Sequence, residues 1–165
     1  MANFQSDYAR GLRPMPTPIG SEIVSVRMTV AVTAALAAND VLEFGELPVD
    51  CVPVDFILDS TDIDTGAGTT ISVGIANAAK TALDTSASNG GAVWLSASTI
   101  GQAGGMARPT TRACVASAPR QPDPASGSAS GAQLRMLAGF LPAVGTSAAG
   151  TVGLTIMYRA AHYGA

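Results

Sequence analysis

Lysine is almost missing from this chain: Lys80 stands alone among 165 residues. Charged residues make up 13% of the sequence, against about 25% in an average soluble domain, and the net charge is −3. The arginines are scattered, with Arg10 and Arg13 the closest pair near the start and Arg108 and Arg112 the closest later pair. A surface that tracks phosphates needs clustered basic residues, so nucleic acid is excluded as a partner. Two cysteines, Cys51 and Cys114, without a CxxC spacing do not make a disulfide framework, and they read as buried thiols. With one histidine, His162, and two distant cysteines, a zinc site has too few ligands. There is no GxSxG elbow, no phosphate-binding glycine loop and no GxGxxG, so no catalytic or cofactor-binding residue is assigned. The uncharged stretches 85–107 and 136–158 are interrupted by glycines, and the second also by Pro142, so neither reads as a membrane-spanning helix. Residues 1–16 have no apolar run of the kind a secretory signal carries.

What the chain does have is alternation. Hydrophobic residues are 47% of the sequence. Along 21–33, Val24, Val26, Met28, Val30 and Val32 alternate with small or polar residues, the period of a half-buried strand. Strands are also expected at 41–47, with Leu42 and Phe44 on one face and Glu43 on the other, and at 52–60, where Pro53 signals an edge or a bulge. Further strands fall at 69–75, 92–95, 112–117, 134–141 and 151–159, with turns at 89–91 and 142–150. The Ala-rich stretch 76–85 has room for one or two helical turns, and 96–111 and 119–131 are expected loops. No long amphipathic helix breaks the series. The pattern predicts an all-β protein, an antiparallel β-sandwich of about eight strands with a jelly roll as the first choice. Its expected core contains Val24, Val26, Met28, Val30, Val32, Val54, Phe56, Ile71, Val73, Leu154 and Ile156.

Residues 1–20 differ from the rest. Pro14, Pro16 and Pro18 sit at every second position between Gly11 and Gly20, which favours an extended path. The expected organisation is therefore an N-terminal arm, 1–20, followed by a sandwich domain, 21–165. Phe4, Tyr8, Arg10 and Arg13 are residue types that anchor interfaces, and they are the expected partner-binding residues.

One acidic loop invites a chemical reading. Asp59, Asp62 and Asp64, with Gly66 and Gly68, offer carboxylates and a sharp turn, but no Glu closes a calcium loop. Asp-Thr-Gly is ordinary turn chemistry, in which the side chain bonds its own backbone. No metal is expected there. The same triplet, Asp64-Thr65-Gly66, lacks the second aspartate that an aspartic-protease dyad requires.

The run Gly45-Glu46-Leu47-Pro48, an apolar strand, then 58–66 (LDSTDIDTG) and 70–75 (TISVGI) resembles small structural proteins of tailed bacteriophages, and is similar to capsid decoration (cement) proteins. The resemblance implies a virion protein without enzymatic activity, cofactor or small-molecule substrate. It implies a homotrimer that binds the major capsid protein on the capsid exterior and reinforces the shell, assembled in the host bacterial cytoplasm. The competing reading is a tail- or head-associated adhesion module for a host carbohydrate, for which exposed aromatics would be needed.

Overall fold

The computed structural model describes residues 1–48, 51–77, 79–84, 93–109 and 135–160. The expected strand 112–117, the turn 89–91, the loop 119–131, Cys114 and His162 lie outside the described residues. Within them are nine strands: β1 (Asn3–Gln5), β2 (Ile23–Val32), β3 (Val41–Leu47), β4 (Cys51–Ser60), β5 (Thr70–Ile75), β6 (Leu95–Ser98), β7 (Gly105–Ala107), β8 (Arg135–Ala143) and β9 (Gly150–Ala160). They form two sheets, ordered β1-β3-β8-β5-β6 and β2-β9-β4-β7. From β2 onward the antiparallel pairs nest. β2 pairs with β9, β3 with β8, β4 with β7 and β5 with β6. The described strands from β2 to β9 thus pair in the nested order of a long hairpin folded over into two layers.

Each layer turns its apolar side chains inward. Met28, Val30, Phe44, Phe56, Leu58, Ile71, Val73, Trp94, Leu137, Leu154, Ile156 and Tyr158 meet in one buried cluster. The rings of Phe56 and Trp94 lie 5.9 Å apart at 34°, a tilted contact. The alternation seen in β2 therefore marks a strand with one face on the core and one in solvent. β3 shows none, because both its faces are covered. On its outer side Val41, Met136, Ala138 and Ala76 form a second, smaller cluster with Ala9, Leu83 and Phe140 against it.

The structure departs from the sequence reading in particular places. Val54 is half-buried and outside the core, because the register against β9 jumps between Pro53 and Asp55 and leaves Val54 as the extra residue of a bulge. Among the described residues Pro53 sits where β4 has no neighbour but β9, since β7 pairs only from Leu58 to Ser60. Stretch 76–84 has no helical turn among its described residues. Ala76 bridges to Leu83, and the Asn77 side chain accepts from the Thr81 N–H at 2.9 Å, a local bond that competes with helix. The expected loop 96–111 holds most of β6, a 3-10 turn at Ile100–Gln102 and β7. Its glycines hid this, and Gly104 and Gly105 do adopt positive φ of 73° and 137°. Finally, β1 lies inside the stretch expected to be an arm, and it runs parallel to β3 with Phe4 beside Leu42.

Candidate functional site

The N-terminal segment divides into a docked part and an exposed part. Phe4 and Tyr8 are half-buried and pack against the sandwich's own core. The Ser6 hydroxyl is buried and donates to the Phe44 carbonyl. Met15 also packs on the core, and the Tyr158 hydroxyl donates to the Pro16 carbonyl at 2.5 Å. Burial, with Cys51 and Tyr8 close by, raises the Tyr158 pKa, so the phenol stays a donor. Arg10 is exposed and held by Asp7 at 2.9 Å, while Arg13 is exposed. Besides Met1 at the terminus, the large apolar side chains left outside in this segment are Leu12, 68% exposed, and Ile19, 84% exposed. The sequence reading passed over both. Their signal was an isolated large aliphatic residue on either side of a proline-spaced stretch.

A buried carboxylate fastens β1 to the sheet. Glu43, 1% exposed, accepts from the Asn3 amide at 2.8 Å and the Gln5 amide at 3.0 Å, and the Lys80 ammonium lies 3.4 Å away. The one lysine of the chain thus serves an internal ion pair. A glutamate inside the apolar run of β3 was the available sequence signal, but its partners come from 37 to 40 residues away.

The acidic loop is also committed internally. Asp59 bonds Arg27 through two nitrogens, at 2.5 and 3.3 Å, and this raises the Arg27 pKa, the hydrogen bond first and the charge second. The Asp62 carboxylate accepts from the Asp64 N–H at 3.0 Å, an Asx turn of the expected kind. Asp64, 1% exposed, accepts N–H bonds from Gly66, Gly68 and Thr69 at 2.7–2.9 Å. Burial works to raise the Asp64 pKa. The Gly66, Thr69 and Gly68 N–H groups and the Thr69 hydroxyl together outweigh it and lower the value to about 2. The same loop is tied to the turn before β9, since the Thr65 N–H donates to the Thr146 carbonyl at 2.9 Å and the Gly145 N–H to the Thr69 hydroxyl at 3.0 Å. Among the described residues no group of three or more metal-ligating side chains comes together.

Among the described residues, one flank and one face offer accessible surface of note. A shallow groove of about 500 Å³ runs between Phe4, Gln5, Asp7 and Arg10 on one side and Thr29 and Ala31 of β2 on the other. The outer face of the four-stranded sheet carries Ile23 and Met106, 59% and 76% exposed, and the pairs Arg27–Asp59 and Arg108–Asp55. Such a surface, neutral and with isolated apolar side chains, suits contact with protein rather than with a charged polymer.

A chain in the capsid of Ralstonia phage GP4 is 31% identical, with 99% of each chain covered and a TM-score of 0.72. A chain in the cyanophage Pam1 capsid asymmetric unit is 24% identical over 88% of this chain and 90% of that one, with a TM-score of 0.55, and shares the fold. No family model and no curated protein matches the chain.

Proposed function

Because the chain belongs to the phage capsid-protein family represented in the capsid of Ralstonia phage GP4, we propose that it is a decoration, or cement, protein that binds the outside of an icosahedral phage capsid and stabilises it. The 31% identity over 99% of both chains is the observation that carries this reading. The chain is a structural protein of the virion and not an enzyme. Its sandwich is a jelly roll, which the nested pairs from β2–β9 to β5–β6 support. An exterior position is supported by the charge. An inward surface faces packaged nucleic acid, and a chain with one lysine and a net charge of −3 is poorly suited to that. The partner is the major capsid protein, and the protein docks on it as a homotrimer, the assembly expected from the resemblance.

The grip on the shell comes from the exposed part of the N-terminal segment. Among the residues first considered, Phe4 and Tyr8 are used by the sandwich and Arg10 is held by Asp7, so Arg13 with Leu12 and Ile19 is the better set. The prolines stiffen this stretch, so less entropy is lost on docking. The test is co-sedimentation with undecorated capsids of the same phage. Wild type should bind in hundreds of copies per particle, on the order of one trimer for each local three-fold position. Replacing Leu12, Arg13 and Ile19 by alanine should weaken binding at least about tenfold with an unchanged melting temperature. Light scattering should give three times the chain mass. A strict monomer at micromolar concentration sinks the trimer, and failure to bind capsids sinks the cement reading.

A further inference from the structure

The four ends of the two sheets are not alike. β1 and β7 are three residues each, and β6 is four residues long with Ala97 at a φ of 48°. β7 is preceded by Gly104 and begins at Gly105, both at positive φ. Short or twisted edges of this kind resist pairing with another chain. β2 is different. It is ten residues long, and its pairing with β9 runs from Ile23↔Arg159 to Val32↔Gly150 without a register shift. It contains no proline and no lysine, and its one charged residue, Arg27, is engaged with Asp59. Among the described residues nothing pairs with its other side. A regular edge of that length presents alternating N–H and C=O groups that only another extended backbone matches. The groove between β1 with its following turn and Thr29 and Ala31 borders the same strand.

We propose that the free edge of β2, with the groove beside it, receives an extended segment of the capsid-shell subunit as an added strand. This rests on the decoration reading and names the contact through which the sandwich itself holds the shell. The groove argues for the kind of occupant. Asp7, Arg10 and β1 flank the C-terminal half of β2 and leave about 500 Å³ of open space. That is room for part of one extended chain, whereas a second copy would have to bring the edge of a two-layer sandwich against the same flank. Thr29, Ala31 and Gln5 favour small, uncharged side chains on the incoming strand, and the Asp7–Arg10 pair leaves no net charge to satisfy.

Hydrogen exchange of the full-length protein, free and bound to undecorated capsids, tests this, with co-sedimentation measured on the same samples. The expected result is exchange in residues 23–32 slowed at least about fivefold on binding, with little change in β4 and β9. Ala31→Arg, which fills the groove from an exposed position, should weaken binding about tenfold at an unchanged melting temperature. Binding with slowed exchange confined to residues 7–20, or undiminished binding by Ala31→Arg, overturns the proposal and leaves the decoration reading standing. Slowed exchange in 23–32 that grows with protein concentration without capsids makes a second copy the occupant, and overturns it too. Absence of co-sedimentation overturns the decoration reading and this proposal with it.

Discussion

Replacing Asp64 by alanine is expected to lower the melting temperature by about 10 °C, the largest single-residue effect foreseen for the loops. Three backbone N–H groups, of Gly66, Gly68 and Thr69, converge on this carboxylate, and Thr69 in turn holds Gly145. Alanine leaves those donors without an acceptor in a site closed to solvent. The space is tight as well. A Cβ on Gly145 would lie 2.6 and 2.8 Å from the two Asp64 oxygens and 2.9 Å from the Gly68 nitrogen, so Gly145→Ala should damage the same junction. The pH dependence has a definite sign. Folding lowers the Asp64 pKa from 3.8 to about 2. The stability it contributes is therefore complete above its unfolded value and is lost as pH falls through about 4 to 2. Asp64→Asn cannot titrate, and it sets an amide donor among N–H donors. The gap in melting temperature between wild type and Asp64→Asn should be wide at pH 6 and should narrow between pH 4 and pH 2. A gap that stays constant would remove the carboxylate from this role.

The double substitution Asn3→Ala with Gln5→Ala should cost about 3–5 kcal/mol, read by denaturant unfolding. Each amide donates to the buried Glu43 carboxylate, and a hydrogen bond to a charged acceptor contributes about 1.5–3 kcal/mol. The variant keeps Phe4 on the core and leaves only Lys80 on Glu43, a pair whose lysine is partly in water. Adding Glu43→Gln should restore part of the loss, because an uncompensated buried charge is the costly element. If the double variant were as stable as wild type, β1 would be a dispensable appendage, and the whole stretch 1–20 could act as a free arm. The docked positions of Phe4, Ser6 and Met15 argue that removing all twenty residues destabilises the sandwich.

Much of this protein was open to inspection in its amino-acid order. Period-two alternation in 21–33 and 151–159 marks two strands, β2 and β9, and the structure pairs them from Ile23↔Arg159 to Val32↔Gly150. The alternation is legible because each strand has one face on the core and one in solvent, so burial writes itself into the residue types. β3 was legible as a strand, but the burial of its Glu43 was not. The second covered face depends on Leu83, Ala9 and Lys80, which arrive from other parts of the chain. Asp62 and Asp64 were recognisable as turn residues since their bonds run two to five residues along the chain. The bond from the Gly145 N–H to the Thr69 hydroxyl spans 76 residues and leaves no local mark.

By itself, then, the order of residues determined an all-β sandwich and the position of most strands, because these follow from the local period of the side chains. Only the tertiary structure decided that Phe4 and Tyr8 face inward while Leu12 and Ile19 face out, that β1 belongs to a sheet, and that β2, among the described residues, lies at the end of its sheet as a long edge without a register shift. Those are outcomes of which segments meet across the fold. A residue's type limits what it can do there, but its neighbours come from packing between strands far apart in the chain, which no local pattern records.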